Sequence, residues 1–137
     1  MEIKQFSIEM YDDVYNLWKD SGLSLGASDT KEQVERLRKM NPDLFLVGIE
    51  NNKIIAVVVG AFDGRRGYVH HLAVDDAYRM KGYGRKMMEE LHKLFSEKKI
   101  VKVHLFVEVE NQGVLEFYKK IGWHVRDDLK MMSYVPD

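Results

Sequence analysis

The run Tyr68-Val69-His70-His71-Leu72-Ala73-Val74, then Arg79-Met80-Lys81-Gly82-Tyr83-Gly84, then Met87, Met88, Leu91, Leu94 and Phe95, decides how this chain folds. The first run is short and rich in β-branched and aromatic residues, which suits a buried strand. The last places apolar residues at i, i+1, i+4, i+7 and i+8, a stripe that docks a helix by one face, and leaves Lys86, Glu89, Glu90 and Lys93 on the other. Between them lies a glycine-rich loop. A loop that opens a helix at about Gly84 presents unpaired backbone N–H groups at the positive end of the helix dipole, which suits an anion such as a pyrophosphate. A further strand over residues 100–107 makes the whole a strand–helix–strand unit, read as a parallel crossover of the usual right hand.

Upstream, residues 3–6 read as a first strand, and Ser7 as the cap of a helix carrying Val14, Leu17 and Trp18 and ended by Gly22. Residues 21–29 are rich in Ser and Gly. Asp29 with Glu32 resembles a capping box for a second helix over 32–40, which Asn41-Pro42 stops. Two β-rich runs, 44–50 and 53–62, meet at Asn51-Asn52, whose tolerance of positive φ suits a tight hairpin. With the strand over 68–74 they form an antiparallel meander. The near-continuous Ile54-Ile55-Ala56-Val57-Val58-Val59 requires cover on both faces. Downstream, a short helix over 111–121 shows Val114, Leu115, Tyr118 and Ile121 on one side and Gly122 as its C-cap. Two terminal strands, 123–126 and 129–135, complete the expectation. The fold class expected is α/β with a mixed sheet of about seven mostly antiparallel strands. One parallel crossover joins the fourth strand to the fifth, about four helices surround the sheet, and residues 1–137 form one domain.

Composition narrows the function. The 137 residues bury roughly two thirds of the unfolded chain's surface. A formal net charge of −1 gives no general attraction to nucleic acid or an acidic membrane, so any anion site is local. With no cysteine, disulfides, thiolate nucleophiles and thiolate-bound zinc are excluded. The N-terminal residues lack the apolar core of a signal peptide, and no run is long enough to span a membrane. The expectation is a soluble, cytoplasmic monomer or homodimer without metal, nucleic-acid or membrane partners. The loop matches neither the three-glycine dinucleotide fingerprint nor a Walker loop.

Loop, preceding Leu72-Ala73-Val74, and downstream Asn111 with Phe117-Tyr118-Lys119-Lys120-Ile121-Gly122-Trp123 together resemble the GNAT superfamily of N-acetyltransferases, whose loop reads Arg/Gln-x-x-Gly-x-Gly/Ala. The resemblance covers essentially the whole chain and looks closest to the small bacterial YpeA-like group. It implies acetyl-CoA as the acetyl donor. Backbone amides from Met80 through Arg85 (Met80, Lys81, Gly82, Tyr83, Gly84, Arg85) would cradle its pyrophosphate, with Arg79, Lys81 and Arg85 adding positive charge. The backbone of Leu72, Ala73 and Val74, together with Asn111, would hold the pantetheine arm where the fourth and fifth strands splay. Asn111 as a plain helix cap stands beside that role.

Acetyl transfer to an amine requires a deprotonated amine, stabilisation of the developing oxyanion and a proton for the leaving thiolate. By the resemblance Tyr118 is the candidate acid, with core packing as its blander role, and a backbone N–H near Leu72 or Ala73 polarises the thioester carbonyl. Positions where some members carry a basic glutamate hold Tyr68 and Phe106. His70 lies two residues from Tyr68, and Glu108 two from Phe106, each therefore on the same strand face. His70, Glu108 or a water relay remain as bases, and adjacent His70 and His71 should face opposite sides. With no cysteine carrier, direct transfer to a primary amine of a small molecule, peptide or protein is expected. The missing glutamate motivates the alternative of a non-catalytic CoA-binding sensor or regulatory module.

Overall fold

A computed structural model describes residues 1–136. The chain forms two compact units, Met1–Phe106 and the segment from Val107 onward.

In the first unit five strands make one sheet in sequence order: β1 (Glu2–Gln5), β2 (Phe45–Glu50), β3 (Lys53–Phe62), β4 (Gly67–Val74) and β5 (Val103–Leu105). All neighbours pair antiparallel except β4 and β5, which run parallel. Asn51 and Asn52 both adopt positive φ, 53° and 62°, so the β2–β3 hairpin turns as their side chains allow and sets Glu50 opposite Lys53.

Cover on both faces explains the apolar run of β3. Val57 and Val59 face a core with Phe6, Phe45, Val47 and Ala73, closed by Val14, Leu17 and Trp18 of α1 (Tyr11–Asp20) and Val34 of α2 (Lys31–Met40). The opposite face receives α3 (Tyr83–Glu97), whose Met87, Met88, Leu91 and Phe95 are buried. Gly60 permits the approach, since a Cβ there would stand 2.6 Å from Leu91 Cδ1 and 2.9 Å from the Leu44 carbonyl oxygen.

The α2 cap differs from the expected capping box. Thr30 Oγ1 accepts the Gln33 N–H at 3.3 Å, while Asp29 Oδ2 accepts the Gly26 N–H at 2.9 Å. Asp29 thus closes the preceding short turn, Ala27–Asp29, instead of opening the helix. Ser7 likewise precedes a single 3₁₀ turn, Ile8–Met10, before α1, and makes no side-chain cap bond.

The second unit carries α4 (Gly113–Lys120). Its end is a Schellman turn: Gly122 takes φ 102°, its N–H donates to Lys119 C=O at 3.1 Å, and Trp123 N–H donates to Tyr118 C=O at 3.0 Å. The expected seven strands are corrected to five among the described residues. Residues 123–126 and 129–135 adopt no regular structure, and Val125, Leu129, Met131, Tyr134 and Val135 are exposed. β-propensity expresses a fit to a half-buried pleated surface, and a run that gains no ladder partner does not realise it. β5 is also shorter than its apolar run, ending at Leu105.

Candidate functional site

Two features stand out, the parting of β4 from β5 and the loop beyond β4. Pairing with β5 runs through Gly67↔Val103, Tyr68↔His104 and Val69↔Leu105 and then stops. From His70 to Val74 the β5-facing edge of β4 has no ladder partner among the described residues, which leaves backbone groups of Leu72 and Ala73 beyond the point of parting, while the Val74 carbonyl accepts from Arg79 Nε at 3.3 Å.

At the same point β4 bulges. Val57 pairs with Ala73 but Val59 with His70, so β4 carries one residue more than β3 across this interval. His71 takes φ 49°, a left-handed conformation uncommon for a residue with a Cβ. Its ring packs edge-on against Trp18, centroids 4.9 Å apart, and its Nε2 lies 2.8 Å from Asp29 Oδ1. His70 stands opposite Val59, a member of the core beneath α1 and α2, and cross-strand partners share a face. The expectation that the two histidines face opposite sides is therefore corrected: the inserted residue breaks the alternation and both turn toward α1 and α2. Burial first, and then the neighbouring His71, holds the His70 imidazole below its ordinary pKa, with Asp29 opposing weakly. His70 is thus predominantly neutral at neutral pH. Tyr68 stacks beside it at 6.3 Å and meets His104 of β5 at 6.0 Å.

The loop follows the 3₁₀ turn Asp76–Tyr78, which Asp75 caps by accepting the Ala77 N–H at 2.9 Å. Met80 and Gly82 both take positive φ, 65° and 77°, and Met80 is fully exposed. α3 begins at Tyr83, one residue earlier than the expected start, and its first intrahelical bond joins Lys86 N–H to Gly82 C=O at 3.1 Å. The N–H groups of Tyr83, Gly84 and Arg85 precede that bond and have no acceptor within the helix. A Cβ built on Gly82 meets nothing within 4 Å, so the space over the loop is open. These features fit an oxyanion bound to backbone donors. The charged side chains take local partners: Arg79 Nε lies 3.0 Å from Asp76 Oδ1, Arg85 Nε lies 2.8 Å from Glu89 Oε1, and the Lys81 ammonium sits 5.7 Å over the Tyr78 ring. Such exposed pairs exchange partners at little cost.

In the second unit, Tyr118 lies on α4 between Phe117 and Trp123, with ring centroids at 5.1 and 5.9 Å in edge-to-face contact. Burial pushes its hydroxyl up to about 12, so it holds its proton throughout the neutral range. Asn111 precedes the cap residue Gln112 and is exposed, and its carbonyl accepts the Val114 N–H at 3.3 Å. The expectation for Glu108 rests on strand periodicity. The strand ends at Leu105, so that argument no longer reaches it, and Glu108 is exposed.

A family model described as the acetyltransferase (GNAT) family matches residues 11–123. The chain belongs to the GNAT family of N-acetyltransferases. GNAT relatives agree along nearly the whole length. An acetyltransferase of Pectobacterium atrosepticum is 32% identical over 127 residues, 93% of this chain and 90% of the relative. One of Sodalis glossinidius is 28% identical over 133 residues, 97% and 94% of the two chains. Among solved structures, the PaiA N-acetyltransferase of Thermoplasma acidophilum in complex with coenzyme A superposes with a TM-score of 0.82, at 21% identity, over 92% of this chain and 91% of that one. Ard1 of Thermoplasma volcanium gives 0.78 at 23% identity, covering 91% and 83%. These likenesses establish the GNAT fold.

Three pairs around the GNAT loop and bulge were not anticipated from the sequence: Asp29–His71, Lys53–Asp75 and Glu50–Tyr83. Their partners lie far apart in the chain, and no local pattern marks them.

Proposed function

We propose that the protein transfers the acetyl group of acetyl-CoA directly to a primary amine, without a covalent enzyme intermediate. The observation that carries the reading is the order of features along β4: the strand leaves β5 at Val69, and the chain then enters an open loop with free helix N–H groups. Acetyl-CoA, when bound, supplies a thioester whose carbonyl carbon accepts the amine.

Backbone N–H groups of Met80 to Arg85 hold the diphosphate, with Gly82 leaving room for it. Leu72, Ala73 and Val74 present backbone groups along the parted edge for the pantetheine amides, an N–H of Leu72 or Ala73 polarises the carbonyl, and Asn111 adds a side-chain amide. His70, half-buried and neutral, accepts the proton that the amine loses as the C–N bond forms. Tyr118, assigned by its place in the family motif, gives its proton to the sulfur as the C–S bond breaks; burial keeps it protonated until then. Glu108 is a less favoured base because it is exposed and off the sheet.

Millimolar acetyl-CoA should raise the Tm by several degrees through linkage. An amine panel should then release CoA in step with acetylated product. No thermal shift sinks the reading, whereas binding without transfer to any amine points to a CoA-responsive module.

A further inference from the structure

The tip of the β2–β3 hairpin touches the anion loop at both its ends. Glu50 and Lys53 are direct cross-strand partners at that tip, held opposite one another by the left-handed Asn51-Asn52 turn. At the loop's entry, Lys53 Nζ lies 3.2 Å from Asp75 Oδ2, and Asp75 is the residue that caps the turn leading into the loop. At its exit, Tyr83 Oη donates to Glu50, 2.9 Å from each carboxylate oxygen, and Tyr83 is the first residue of α3. The Met1 α-ammonium also reaches Glu50 Oε1 at 2.9 Å. Between the two ends, the Tyr78 and Tyr83 rings stack at 6.4 Å, so the loop closes on itself as well as on the hairpin.

We propose that Glu50 and Lys53 are positioning residues for coenzyme binding: the hairpin tip brackets the loop and fixes the separation of its ends, so that its backbone N–H groups converge before the diphosphate arrives. The inference rests on the acetyl-CoA reading above. Its physical basis is that an oxyanion held only by backbone donors depends on the loop's shape, and Met80 and Gly82, both at positive φ, do not stabilise that shape themselves. A carboxylate beside an anion site is otherwise a liability, since its charge opposes the ligand. Here that carboxylate is engaged by the Met1 ammonium and by the Tyr83 hydroxyl.

That conflict supplies the test. If Glu50 acts through its bond to Tyr83, Glu50→Met weakens CoA by about three- to tenfold, whereas Glu50→Gln, which keeps an acceptor and loses the repelling charge, binds CoA as well as wild type or better. Tyr83→Phe weakens CoA to a similar degree, and Tyr83→Phe with Glu50→Met is no worse than the stronger single change, because both remove the Glu50–Tyr83 bond and Glu50→Met already removes the Met1 pair as well. Lys53→Met loosens the entry independently, so its effect adds to either. Affinity is read by calorimetry with CoA itself. Amide hydrogen exchange should quicken across residues 79–85 in Glu50→Met while α3 beyond its first turn and the ligand-free Tm hold, a pattern that general loss of structure does not produce.

Equal tightening by Met and Gln at position 50 overturns the proposal in favour of simple charge repulsion. Affinity unchanged in Glu50→Met, Tyr83→Phe and Lys53→Met overturns it outright. Wild-type protein that fails to bind CoA removes both this inference and the acetyl-CoA reading, whereas wild-type binding with indifferent variants removes this inference alone.

Discussion

The loop beyond β4 and the bulge within β4 offer contrasting kinds of chemistry from neighbouring segments of the chain. The loop offers main-chain donors, and its residue types matter mostly for what they leave out: Gly82 has no side chain, and a Cβ there would project into open space. The bulge offers rings. His71 is held at an uncommon φ by Asp29 and Trp18, and His70 is kept neutral by burial. A site made of backbone tolerates exchange of its exposed side chains, while a site made of side chains depends on every partner that orients them.

The largest expected effect tests the bulge. Trp18→Ala removes the buried indole against which His71 packs and should cost about 3–5 kcal/mol in denaturant unfolding. If the loss stays below about 1 kcal/mol, the bulge does not depend on the α1 face. Next comes chemistry apart from either region. Tyr118→Phe should lower turnover by about 10² or more while CoA affinity stays near wild type, and unchanged turnover removes Tyr118 as proton donor.

Smaller effects separate the two stretches. Gly82→Ala places a Cβ at φ 77°, costs about 1–2 kcal/mol through the left-handed backbone, and weakens CoA without altering the pH dependence of turnover. Wild-type CoA affinity in that variant would show that the loop needs no glycine there. The subtlest test is pH. With the folded pKa of His70 below the ordinary 6.5, the acid limb of kcat/KM should fall below that value and disappear in His70→Ala. The sign for stability follows: the unfolded chain takes up the proton first as pH falls through 6.5, so native stability declines from there toward the lowered folded pKa, and is fully present above 6.5.

The loop was legible because its information is local. Glycine spacing, the strand before it and the apolar stripe after it lie within one short segment, and helix geometry alone leaves its first N–H groups unpaired. The hairpin, the docking face of α3 and the glycine C-cap of α4 were readable for the same reason. The bulge was not. Strict alternation put His70 and His71 on opposite faces, and an inserted residue is invisible to a period-2 pattern. Asp29 shows the same weakness: its spacing suggests a helix cap, but its carboxylate closes a turn and meets a histidine 42 residues further along the chain. The terminal runs failed differently, since their composition favours strands and the described residues contain no ladder for them.

The sequence by itself determined the donor end: a mixed sheet, a crossover, and a glycine loop at a helix start, each written in neighbouring residues whose backbone preferences suffice. Tertiary structure alone decided which side chains of β4 turn toward α1 and α2 and what holds the loop's ends. The Asp29–His71, Lys53–Asp75 and Glu50–Tyr83 pairs form only after the strands are registered. Register is a collective outcome of packing, and no local segment encodes it.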